Sequence, residues 1–142
     1  MENGVELWVI WNDNDMIELE ISGSNGLFSG KTLTYDDPDA PGSAAKVLAG
    51  FPANREDVRE LHFGSSLKAA NKGAAYMRFR CNDSACHVAV DVEIRSDNRD
   101  EPGQSVRFVL PVEAAGVDIF VEQLRALQAE RYGRSAFLAA AK

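Results

Sequence analysis

A chain of 142 residues, 45% hydrophobic and 26% charged, has the length and composition of one globular domain, and nowhere does it hold the roughly 18 consecutive apolar residues a bilayer-spanning helix needs. Its net charge of −7 opposes binding to nucleic acid or an anionic lipid surface, which both need basic groups to displace counterions, and leaves a basic protein as the partner class that charge favours. The opening stretch MENGVELWVIW lacks the basic region, apolar run and small-residue cleavage site of a signal peptide, so the expected compartment is the cytoplasm, where thiols stay reduced.

In chain order, Glu6–Trp11 and Met16–Ile21 read as a first hairpin around the polar tip Asn12-Asp13-Asn14-Asp15. The tip is not a calcium loop, because with Asp13 as first ligand the glycine and glutamate required at positions six and twelve are Glu18 and Ser24. Ile17, Leu19 and Ile21 point to the core, and Glu18 and Glu20 to water. Trp8 and Ile10 match that core face, which leaves Leu7, Val9 and Trp11 as a second apolar stripe able to seal a dimer or line a ligand pocket. After the turn Ser22–Gly26, a third strand is expected over Leu27–Tyr35. Gly26–Thr32 looks like a phosphate-binding loop, but it is one residue short of G-x4-G-K-[ST] and no helix can follow it through Asp36-Asp37-Pro38.

Asp36, Asp37 and Asp39 make the next loop acidic, and Ser43 is expected to cap a short helix that Pro52 ends. Residues 55–63 fit either a helical turn or a short strand, and His62 between Leu61 and Phe63 reads as a packing histidine. Ala75–Cys81 and Cys86–Arg95 alternate as two half-buried strands. A four-residue loop, Asn82–Ala85, would set Cys81 opposite Cys86, Phe79 opposite Val88 and Met77 opposite Val90, with Arg80 beside His87 and Tyr76 beside Asp91. Such cysteines can form a disulfide, although a reducing compartment predicts two buried thiols. With three local donors and His87 turned away from Cys86, the segment CNDSACH is short of a zinc set; no metal or cofactor is expected.

A polar loop, Ser96–Gln104, leads to a strand over Ser105–Val112 that sets Arg107 across from Glu93. From Glu113 onward Val117, Phe120, Val121, Leu124 and Leu127 recur at helical spacing up to the stop at Gly133, and residues 134–142 read as a loosely ordered tail.

These elements predict a single α+β domain over 1–142, a two-layer sandwich in which an antiparallel meander of about five to six strands carries helices on one face and ends in a C-terminal amphipathic helix. Its open face would hold Glu18, Glu20, Tyr76 and a series of arginines and carboxylates. The order of elements, with Arg59-Glu60-Leu61-His62-Phe63-Gly64 before the Ala75–Arg95 hairpin and a last strand running straight into a helix, resembles a family of small uncharacterised bacterial α+β proteins, some similar to toxin-immunity proteins. The resemblance implies an acidic binding protein and carries no catalytic residue to any position. No serine elbow, zinc helix or dinucleotide fingerprint is present, and His62 and His87 have no orienting partner visible in the sequence. A non-catalytic protein that engages a basic protein is the favoured reading, with Asp36, Asp37, Asp39, Glu18, Glu20, Tyr76, Leu7, Val9 and Trp11 as candidate contacts. A small-ligand or homodimeric module and an enzyme of unrecognised type are the alternatives.

Overall fold

Alternation of apolar and polar residues turns most of the chain into strands, because successive side chains of an extended backbone point to opposite sides. The computed structural model describes residues 2–64, 73–96, 103–130 and 133–142. They form β1 (Gly4–Asn12), β2 (Ile17–Ser24), β3 (Ser29–Asp36), α1 (Ala40–Leu48), β4 (Val58–Phe63), β5 (Ala74–Cys81), β6 (Val88–Arg95), β7 (Ser105–Val112), α2 (Ala114–Ala129) and β8 (Ser135–Ala139). The α+β class stands, but the single meander does not. The strands divide into two antiparallel four-stranded sheets, β3-β2-β1-β8 (sheet A) and β4-β5-β6-β7 (sheet B).

The tail is what closes sheet A. Instead of a loose turn it forms β8, which pairs antiparallel with β1, and its Ala136 and Leu138 are fully buried. Residues 58–63 resolve as strand β4. Helix α1 begins at Ala40, earlier than Ser43, because Asp39 takes the cap position and Pro41 occupies the first turn, where its missing N–H costs nothing. Residues 97–102 of the expected polar loop lie outside the described residues.

The two sheets pack with strand β3 against every strand of sheet B. Strand β3 runs across the ends of sheet B: Gly30 lies against Ile94 and Val106, the Leu33 carbonyl accepts from Gly73 N–H (3.1 Å), and the Asp36 carboxylate accepts from Gly64 N–H (2.9 Å). Strand β7 runs in turn across the ends of sheet A. Gly23 meets Phe108, Asn25 donates to the Val109 carbonyl (3.2 Å), and Ala141 N–H donates to the Pro111 carbonyl (2.8 Å). Gly30 has to be glycine for this crossing, since a Cβ there would stand 2.7 Å from Val106. These contacts also occupy outward carbonyls of the edge strands β3 and β7, which blunts them against pairing with other chains.

Away from this corner the helices fill the space between the sheets: α1 packs on α2 and β4, and α2 packs on β8. Leu48 of α1 and Val117, Phe120, Leu124 and Leu127 of α2 join both sheets in one continuous core. Arg59 fastens α1 to β4 by donating to the Val47 and Ala49 carbonyls (2.9 and 2.6 Å) at the end of the helix, while Asp57 holds its guanidinium from the other side (2.8 Å).

The β5–β6 hairpin keeps the expected faces in a different register. Cys81 pairs with Val88, Phe79 with Val90, Met77 with Val92 and Arg78 with Asp91, two residues beyond the four-residue-loop alignment. Asp83 explains the longer loop. Its carboxylate accepts from the N–H groups of Ala85 (3.0 Å) and His87 (3.1 Å), so Cys86 and His87 belong to the turn. Cys81 and Cys86 are joined as a disulfide, with Cα atoms 4.5 Å apart, where thiols were expected.

Candidate functional site

Sheet A turns its uncovered side to solvent as an aromatic and acidic face. Ile17, Leu19 and Ile21 of β2 are fully buried, so Glu18, Glu20 and Ser22 point outward. On β1 the buried residues are Val5, Leu7 and Val9, each at most 1% exposed. The two proposed contacts Leu7 and Val9 are therefore core, and the face assignment of β1 is the reverse of the one expected. A β-bulge is the reason that Trp11 still reaches the surface. The register shifts between Val9 and Trp11, leaving Ile10 as the extra residue, so Trp8 pairs with Glu20 and Trp11 with Glu18 on the same outer side. Both indoles stand out, 41% and 44% exposed.

Cross-strand rows complete the face. Leu33, Glu20, Trp8 and Ser135 make one row; Tyr35, Glu18 and Trp11 make the next; Lys31, Ser22, Glu6 and Phe137 lie on the other flank. Lys31 forms an ion pair with Glu20 (3.2 Å). The β1–β2 turn, with exposed Asp13 and Asp15, and the exposed Asp37 and Asp39 after β3 extend the negative charge past the Trp11 end. Asp36 is not part of that surface. It is held between Gly64 N–H and the Thr34 hydroxyl (2.8 Å), and burial pushes its carboxyl above the ordinary range, with those two hydrogen bonds opposing.

Tyr76 lies on the other sheet. The outer side of sheet B carries the rows Glu60, Arg78, Asp91, Val109 and His62, Tyr76, Glu93, Arg107, around a shallow groove of about 470 Å³. Its charges hold one another. Arg80 grips Asp91 with two bonds (2.9 and 3.0 Å), and Glu93 accepts from Arg95 (2.7 Å) and from Arg107 (3.1 Å), the cross-strand pair legible in the sequence. The Arg80 hydrogen bonds lower the Asp91 pKa, and those of Arg95 and then Arg107 lower that of Glu93. The Tyr76 hydroxyl donates to Glu60 (2.5 Å), which raises its own pKa, and the His62 ring rests on Tyr76 at 4.6 Å. Both carboxylates of this groove are thus engaged by arginines. The expected single open face is two faces, one acidic with exposed tryptophans and one of interlocked arginine and carboxylate pairs.

No protein-family model, curated protein or solved structure matches the chain. The site must be read from its own geometry. Among the described residues no three His, Cys, Asp or Glu side chains gather as a metal-binding group, and no helix is long and apolar enough to cross a membrane. The Gly26–Thr32 stretch is a turn running into β3, with Thr32 buried and Lys31 paired to Glu20. Trp8, Leu33, Tyr35 and Phe137 are the face residues that sequence reasoning missed. An alternation count allowing one bulge in GVELWVIWN would have placed both tryptophans together.

Proposed function

We propose that this chain is a non-catalytic binding protein that engages a basic protein partner through the outer face of sheet A, as an immunity-type protein would. The observation that carries the reading is the bulge that sets Trp8 and Trp11 beside Glu18 and Glu20 on one solvent-facing side. Carboxylates and indoles favour the same visitor. A lysine or arginine side chain gains ion pairing from the first and a cation–π contact from the second, about 0.5–2 kcal/mol depending on how fully it is desolvated. Tryptophan is also among the residues that most often dominate the energy of an interface. The surrounding Asp13, Asp15 and Asp37 would steer a basic protein, and repel nucleic acid, during approach. The cytoplasm is the proposed compartment.

The test compares retention of basic proteins from a lysate of the native host on immobilised chain and three double variants. A stoichiometric protein retained at low salt, lost on Glu18→Lys/Glu20→Lys and on Trp8→Ser/Trp11→Ser, and kept on Arg78→Ser/Arg107→Ser supports the reading. Retention that ignores the sheet A changes, or follows the sheet B changes, overturns it. Self-association through the same tryptophans is the second reading, and a dimer by light scattering that Trp11→Asp dissociates would replace the first.

A further inference from the structure

The tip of the β5–β6 hairpin is closed by two independent means. One is the Cys81–Cys86 disulfide, spanning five positions. The other contains no sulfur. Asn82 N–H donates to the His87 carbonyl (2.7 Å), Cys86 N–H to the Asp83 carbonyl (3.0 Å), and the Asp83 carboxylate takes the Ala85 and His87 N–H groups and the His87 imidazole (2.6 Å). The turn that brings the two cysteines together is therefore specified by Asp83 and the backbone. With so short a loop, the bridge removes less entropy from the unfolded chain than one closing a long loop would, about 2 kcal/mol.

Access is open as well. Asn82 to Ala85 are exposed, the cysteines are only half-buried, and the His87 side chain is 78% exposed. A structural disulfide gains its resistance to reduction from burial and from native contacts that depend on it. This one is only half-buried, with Cys86 at the margin of the core and Cys81 Sγ 3.8 Å from the Asn54 carbonyl.

We propose that Cys81 and Cys86 form a reversible thiol–disulfide site that exchanges with low-molecular-weight thiols of the glutathione class while the hairpin stays folded. A small thiolate attacks one sulfur; the Cys81–Cys86 bond breaks, and its electron pair leaves on the other sulfur as a thiolate, giving a mixed disulfide. A second small thiolate attacks the small-molecule sulfur of that mixed disulfide and releases the protein sulfur. The protein gains two electrons and two protons, and the two small thiols leave joined as their own disulfide. The reverse sequence restores the bridge.

The experiment equilibrates the folded full chain in reduced and oxidised glutathione at a series of ratios, quenches with acid, traps thiols with N-ethylmaleimide and reads intact mass, with circular dichroism in parallel. The expected result is a two-adduct species that rises with reduced glutathione, disappears when oxidised glutathione is added back, and leaves the spectrum unchanged and equal to that of Cys81→Ser/Cys86→Ser. Three results overturn the proposal: no adduct without denaturant, thiols that do not re-form the bridge, or unfolding on reduction or in the double variant.

Discussion

Asp36→Ala should lower the unfolding free energy by about 2–6 kcal/mol, because it strips the acceptor from two donors at the corner where the sheets meet. Asp36 takes Gly64 N–H at 2.9 Å and the Thr34 hydroxyl at 2.8 Å, and Thr34 has no solvent exposure at all. A buried donor left unpaired costs roughly 1–3 kcal/mol, and two are created. Asp36→Asn is different. The amide oxygen can still accept from Gly64, and the Thr34 hydroxyl can turn to accept from the amide nitrogen, so this chain should stay within about 1 kcal/mol of the parent. The two also separate by pH. Burial raises the Asp36 pKa above its ordinary 3.8, so the folded state holds the proton more tightly than the unfolded one. Between 3.8 and the folded value, stability falls as pH rises, and the whole penalty is present above that window. Asparagine has no such step, and the difference between parent and Asp36→Asn should move in the parent's favour as pH drops through the window. Urea titrations at pH 7 and pH 4, followed by tryptophan fluorescence and far-ultraviolet circular dichroism, measure both effects. Asp36→Ala within about 0.5 kcal/mol of the parent, or Asp36→Asn falling as far as Asp36→Ala, would refute the clamp.

Three further outcomes follow from the same geometry. Leu7→Ala should cost about 2–5 kcal/mol in urea, as expected of a fully buried leucine; a cost near zero would return Leu7 to the surface. In a Trp8→Phe background, deleting Ile10 removes the extra residue and leaves Trp11 directly after the inward Val9 and still opposite Glu18, so iodide quenching of Trp11 should stay at the parent level; a large change in quenching contradicts the bulge reading. Asp83→Asn should bring the His87 midpoint down toward 6.5 in an NMR titration, because the Asp83 hydrogen bond is the largest cause of its elevation; a midpoint that stays put would show that the pair does not form in solution.

What the sequence made legible was local, and what it hid was set by symmetry or distance. Strand identity and the core faces of β2, β5, β6 and β7 follow from strict alternation, and the α2 stripe follows from its helical period. Alternation repeats every two residues, so it could not distinguish the Cys81–Cys86 pairing from the observed Cys81–Val88 pairing, which leaves every face unchanged. In β1 the run Leu7 to Trp11 is apolar throughout and gives no parity signal, and one bulge at Ile10 reverses the assignment on either side of it. The split into two sheets was hidden for another reason. It depends on Gly30 and Gly73 allowing β3 to cross sheet B, and on β8 returning to β1 from the far end of the chain. The acidic loop divided as it did because Asp36 is the last residue of β3 and faces Gly64, whereas Asp37 and Asp39 are past the strand.

The same division changes what the net charge of −7 means. On the outer side of sheet B, Arg78, Arg80, Arg95 and Arg107 stand among Glu60, Asp91 and Glu93, a slight positive excess locked into pairs. The outer side of sheet A and its Trp11 end hold Glu6, Glu18, Glu20, Asp13, Asp15 and Asp37 against Lys31. Of these two outer sides, the negative charge therefore lies on that of sheet A. A field of that shape orients a cationic protein before contact, and screening reduces it within a Debye length of about 8 Å at physiological salt. Charge alone would leave such an encounter short-lived. The indoles of Trp8 and Trp11 supply the apolar area that an encounter needs to become a complex, and they stand on the side toward which the field steers.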